Sequence, residues 1–371
     1  MTKFVLKVTL LVAFSITSLG CSPLFISENK PKTIQENVHP FNIELNNSPL
    51  SNIKGFENIT QGVISDISDN GQSILLFRQD AQDESANLDI DSFNSISFYN
   101  LKDHTIKHII SPQVNVELGN FDENENGVFY LENSSESNFH LYWIDDSGGK
   151  KLRISSSDHQ VNPNYHVLPN NEVYYGTKDG KIIHANKDRI LSTIDLGSKY
   201  NIQQVYYYRN ESLVLFTANR DGNLNLYSIK PNGEDLTLIL PNVIGHFKVS
   251  PREDKMTYLT PVNDSNKRKL WLFDLEKMEN NNLMEGYPNL QIFSPKGDKI
   301  AYLDKTESSS DLYNIWVLDL ESNERKQVAS NLKLISELFW HPRENCLYFS
   351  TYERTNSEIQ AMLYSLNFEM K

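Results

Sequence analysis

The stretch Ile292–Leu320, IFSPKGDKIAYLDKTESSSDLYNIWVLDL, recurs in variant form along the chain, and that recurrence restricts the possible folds severely. It reads as three strands. One ends at Phe293, SPKGD turns the chain, Lys299–Leu303 returns, and Asn314–Leu320 follows. Pro presets φ for such a turn and Gly accepts positive φ. The alternation in NIWVLDL suits a half-buried strand. Aligned on Phe293, the copies fall at Ile67, Phe121, near His166, near Tyr206, and at Val249, Phe293 and Trp340, with a mean spacing of about 45 residues. That period matches a four-stranded propeller blade, which buries its faces only by stacking on neighbours.

The ends of the series predict how the ring closes. Arg325–Ala329 supplies a fourth strand to the sixth copy, but the seventh stops at its third strand, Met362–Leu366, near the C-terminus. Gly55–Ile59 (GFENI) has the look of a fourth strand and precedes the first copy with no blade of its own. The expectation is an all-β, seven-bladed propeller over residues 54–371, its last blade completed by the N-terminal segment. The third and fourth copies are degenerate, which leaves a six-bladed ring as the alternative.

The pattern F-S-P-x-G-x-x-I-A-Y followed by I-W-V-x-D-L resembles the TolB-like (WD40-like) repeats, over roughly Gly55 to Glu369. These repeats form the propellers of the TolB family and of prolyl oligopeptidases. The resemblance implies the propeller fold. Some propeller lyases similar to this family hold a divalent metal through histidines from different blades, so it also implies a metal-dependent carbohydrate-active enzyme as one possible role. No hydrolase domain follows the repeats to carry a peptidase nucleophile.

The first residues read as an address. Lys3 and Lys7 precede a short apolar run, Val8 to Ile16, and then Ser18-Leu19-Gly20-Cys21. A basic, then apolar, then small-residue order marks a secretory signal. Gly20-Cys21 resembles the lipobox of bacterial lipoproteins, although Ser18 stands where that family prefers Leu. The resemblance implies cleavage before Cys21, acylation of its thiol, and a chain held on the extracytoplasmic face of a cell membrane. Two or more acyl chains hold a protein stably where one does not. Residues 21–53, with Pro23, Pro31, Pro40 and Pro49, read as a tether in which Phe41–Leu45 (FNIEL) alternates like a stray strand.

Composition excludes more than it assigns. A net charge of −13 and a pI near 5.2 argue against nucleic acid, whose binders need basic patches. With Cys21 spoken for, Cys346 in ENCLYFS has no partner and reads as a buried, inert thiol. The chain holds no G-x-S-x-G, H-E-x-x-H, C-x-x-C or G-x-G-x-x-G. Asp122-Glu-Asn124-Glu-Asn126-Gly127 imitates the first half of an EF-hand loop, but position twelve is Asn133 and the string occupies the turn of the second copy. His166 and His341 sit at repeat positions that explain them structurally.

The longest insert lies between the second and third strands of the first copy. It carries Asp80, Asp83, Glu84, Asp89 and Asp91, a candidate rim loop for a basic partner or cation, or simply a solvated loop. No catalytic residue, metal ligand or cofactor is assigned. The expected role is a monomeric, lipid-anchored interaction module with a protein partner. The alternatives are a small-ligand or peptide binder using the central channel, and the metal-dependent enzyme.

Overall fold

In the computed structural model, residues 51–79, 93–112, 114–133, 139–263, 265–305, 312–355 and 358–370 are described. They form seven four-stranded antiparallel sheets. Each sheet is one blade, and six of the seven take their four strands consecutively from the chain. Blade 1 runs from Val63–Ile67 to Ile106–Ile110, blade 2 from Asn115–Phe121 to Lys151–Arg153, and blade 3 from His166–Leu168 to Ile190–Asp195. Blade 4 runs from Asn201–Tyr208 to Thr237–Leu240, blade 5 from Ile244–Val249 to Glu279–Gly286, and blade 6 from Pro288–Phe293 to Arg325–Leu332. The six-bladed alternative is thereby excluded: the degenerate third and fourth copies each build a complete sheet.

Register explains why those two copies were hard to align. Ile67, Phe121, Val249, Phe293 and Trp340 pair with Ile74, Val128, Met256, Ile300 and Leu347 of the second strands. The matching pairs in blades 3 and 4 are Val167↔Val173 and Tyr207↔Val214, one residue beyond His166 and Tyr206.

Blade 7 is built from both ends of the chain. Its first three strands are Phe339–Trp340, Cys346–Thr355 and Glu358–Met370, and its outermost strand is Ser51–Gln61. Gly55 pairs with Asn367 and Phe56 with Leu366, so the predicted latch is present. The Phe56 ring stacks on Tyr364 at 4.7 Å between centroids, which anchors the added strand to the sheet face.

The core follows from this stacking. Seven buried apolar clusters occur among the described residues, one at each junction between consecutive blades. Ile74, Leu76, Cys346 and Leu363 close the junction between blades 7 and 1. Burial pushes the Cys346 thiol up to about 12, so it stays protonated and unreactive, as its setting suggested.

The turns after the inner strands are bonded blade to blade. In blades 1, 2, 5 and 6 the same tight turn recurs, with Gly71, Glu125, Glu253 and Gly297 at positive φ, each donating its N–H to the carbonyl three residues back. Non-glycine residues there are costly unless something holds them. Glu253 is 2% exposed, and its carboxylate accepts bonds from the Arg209 side chain and from the N–H groups of Arg209 and Asn210 in the turn of blade 4. Glu125 grips Asn70 of blade 1 in the same way. At the closing junction His341 of blade 7 donates from Nε2 to the Gly71 carbonyl. A Cβ on Gly71 would lie 2.6 Å from that imidazole, so space requires glycine there, and glycine also adopts the positive φ without strain.

Deleting Ser51–Gln61 is expected to lower the denaturation midpoint of the whole ring, because blade 7 loses its outer strand and the circle opens. Deleting Ser22–Pro40 should leave it unchanged. Equal midpoints for the two deletions in a urea titration would contradict the latch.

Candidate functional site

The inner strands of the seven blades face the ring axis, and this is where a propeller presents side chains to a ligand. In blades 1, 2, 4, 5 and 6 the pairing of the inner strand with the second strand is interrupted by a register shift. Leu118 and Leu290 lie inside two of these interruptions at positive φ. Such bulges leave peptide groups outside the ladder, and neighbouring blades bind several of them. Gln204 of blade 4 accepts from the Phe247 N–H at 3.0 Å and donates to the Phe247 carbonyl at 2.8 Å. Gln291 of blade 6 donates to the His246 carbonyl at 2.9 Å.

Blade 2 repeats the arrangement with other residues. The Ser65 hydroxyl of blade 1 accepts from the Gly119 N–H and donates to the Gly119 carbonyl. The Tyr165 hydroxyl, just ahead of blade 3, bonds the Leu118 carbonyl. Asn162 does the same for the Ile202 carbonyl of blade 4, and Ser350 of blade 7 bonds Ile64 and Gly62 of blade 1.

Lys248 of blade 5 pairs with Glu337, which leads into blade 7, at 2.7 Å; the pair passes over blade 6 and so reaches across the ring interior. Burial works to raise the Glu337 pKa, but the Lys248 ammonium and His246 outweigh it and hold the carboxyl below its ordinary range. Burial pushes Asp66 and Glu117 up to about 7, even though Asp66 accepts N–H bonds from Ile67 and Phe121. These groups are carboxylates near their titration point rather than fixed anions.

His166 is stacked on Tyr206 at 4.0 Å, and its Nδ1 accepts the Tyr207 N–H. Burial, helped by Arg209, drives its pKa down to about 3, so the ring is neutral and structural. His341 is likewise structural: its Nδ1 accepts the N–H groups of Arg343 and Glu344. Among the described residues no three His, Cys, Asp or Glu side chains gather as a metal-holding group. Asp122, from the string that imitates a calcium loop, is a turn residue. It accepts from the Trp143 indole, the Lys187 ammonium and the Asn126 N–H, and strand Gly127–Asn133 follows at once.

The remaining sequence-derived sites fall outside the described residues. These are Cys21, the strand-like Phe41–Leu45, and Asp80, Asp83, Glu84, Asp89 and Asp91. The flanks of the acidic insert are described: Ser73–Arg78 ends and Ser95–Asn100 begins on the face opposite the Ser-Pro turns. Ser51 lies on the turn face, because it pairs with Met370 at the end of the third strand of blade 7.

No protein-family model matches the chain, and no curated protein sequence matches it. Solved structures do. An oligogalacturonate lyase in complex with manganese superposes with a TM-score of 0.65 at 10% identity, over 85% of this chain and 93% of that one. The oligogalacturonate lyase of Vibrio parahaemolyticus gives 0.61 at 10% identity, over 84% and 90%. TolB from Acinetobacter baumannii gives 0.51 at 14% identity, over 71% of this chain and 64% of TolB. The chain has the fold of these propellers. At such identities the likeness is one of architecture, and no residue role is carried across with it.

Two outcomes test the axis. Gln204→Leu strands the Phe247 N–H and carbonyl and should cost about 2 kcal/mol or more. The exposed Asn223→Ala on the same blade should change stability by less than about 0.5 kcal/mol. Paired urea titrations compare them. For His166 the folded-state pKa lies below the unfolded one, so the unfolded chain takes up the extra proton. Wild type should lose stability relative to His166→Asn as pH falls from about 6.5 towards 3, by at most about 1.4 kcal/mol per pH unit. A wild-type-minus-variant difference that does not change with pH would refute the neutral imidazole.

Proposed function

We propose that the protein is a membrane-anchored, extracytoplasmic binding scaffold, held by lipid on Cys21, whose propeller presents a rim to a protein partner. The carrying observation is the point of entry. The strand Ser51–Gln61 begins on the turn face of blade 7, and the second strand of each blade ends on the other face. About 30 residues separate Cys21 from Ser51, enough to span at most about 100 Å when extended. An anchor on that side leaves the opposite face, where Ser73–Arg78 ends and Ser95–Asn100 begins, pointing away from the bilayer. Loops on a rigid scaffold are favoured positions for binding.

The axis supports a scaffold more than a reaction centre. Several of its polar groups are bonded to neighbouring backbones, and Lys248 and Glu337 close a charge pair there. The likeness to the lyases is one of fold, and the described residues bring no histidine set together.

Replacing Cys21 by Ser should release the protein from membranes or leave the signal uncut. Membrane fractionation and detergent partitioning read this directly; full retention with normal processing would sink the anchor. Neutralising Asp80, Asp83, Glu84, Asp89 and Asp91 together should reduce recovery of a cross-linked partner from intact membranes. The wild-type association should weaken as salt rises, since exposed charges are screened over about 8–10 Å. Recovery that is the same for both proteins at low and high salt would remove the rim from the proposal.

A further inference from the structure

The outer edges of the blades differ in one respect. Every outermost strand has a single strand neighbour, so one side of its backbone is open to a further strand. Natural edges are usually protected by charge. Six of the seven carry it, through Lys107, Lys151, Asp195, Glu279, Arg325 and Glu57. The outer strand of blade 4, Thr237–Leu240 (TLIL), carries none. It also displays apolar surface. Leu236 is 40% exposed and Leu238 52%; Leu238 pairs with Tyr227, whereas Leu240, beyond a register shift, pairs with Leu226 on the other face and is buried against blade 5.

We propose that this edge pairs with the same edge of a second copy, joining the two blade-4 sheets antiparallel across a two-fold axis. Self-pairing makes a specific demand on composition. Across a two-fold each residue meets a residue of the same strand, so a charged edge sets like charges close together. With a net charge of −13 two copies repel over most of their surface, and an uncharged strand is the place where they can meet. A two-fold normal to the sheet also puts both Leu236–Leu238 stripes on one face, where they cover each other. The strand is only four residues long, so the interface is small and the association transient. This departs from the monomer expected from sequence, and it is independent of the proposed anchor and rim.

The test uses the full chain in detergent solution and in its own membranes. Sedimentation velocity should show a monomer–dimer equilibrium developing up to about 100 µM, the range suited to a small interface. Leu238→Lys, at an exposed position, should weaken it at least about tenfold with an unchanged melting temperature. Under mild oxidation in membranes Leu238→Cys should give a species of twice the mass that reducing agent reverses. Asn282→Cys, on the exposed outer strand of blade 5, should not. Wild type that stays monomeric throughout, or a dimer that Leu238→Lys does not weaken, would overturn the proposal. So would cross-linking of Leu238→Cys to a different protein, which would make the edge a site for a foreign strand.

Discussion

A bulge in a β-strand releases peptide groups that the ladder would otherwise bond, and each one left dry costs about 1–3 kcal/mol. Interrupted strands stand around the centre of this ring, and several of the freed groups find partners in adjacent blades. Gln204 and Gln291 complete the inner strand of blade 5 from both sides; Ser65 and Tyr165 do so for blade 2. No such strand is a finished structure by itself. The blades therefore depend on one another through directional bonds at the axis as well as through the apolar clusters between them.

The same dependence holds at the turns. A glutamate at positive φ is a poor local choice, yet Glu125 and Glu253 occupy the place that Gly71 and Gly297 take in other blades. Each carboxylate is held by the turn of the preceding blade. Backbone strain in one repeat is offset by hydrogen bonds to the one before it, a balance that a propensity scale applied to one repeat cannot register. At the closing junction a histidine takes over, and its imidazole needs the space that only a glycine in the facing turn leaves.

The architecture was legible because it is written in alternation and period. Apolar residues at Ile74, Val128, Met256 and Ile300 mark the second strands, and the missing fourth strand after Met362–Leu366 pointed to Gly55–Ile59. In blades 3 and 4 the alignment slipped by one residue because His166 and Tyr206 stand beside the true register positions and are themselves packed aromatics. The axial bonds were not legible. They join Ser65, Gln204 and Gln291 to backbone atoms of other blades, and nothing in the spacing of a serine or glutamine signals which carbonyl it will face. The Lys248–Glu337 pair is hidden for the same reason: it joins residues 89 positions apart in blades that are not neighbours.

The paired ends of blade 7 also set an order in time. Ser51–Gln61 is made early, but its only strand neighbour is Glu358–Met370, close to the last residue. A chain emerging from its N-terminus can stack six blades in sequence, each from local hairpins with short loops to close. The first strand must wait, unpaired, until Glu358–Met370 has appeared, and only then can the circle form. A polypeptide cut short before Glu358 would carry an unpaired N-terminal strand and an open stack at once.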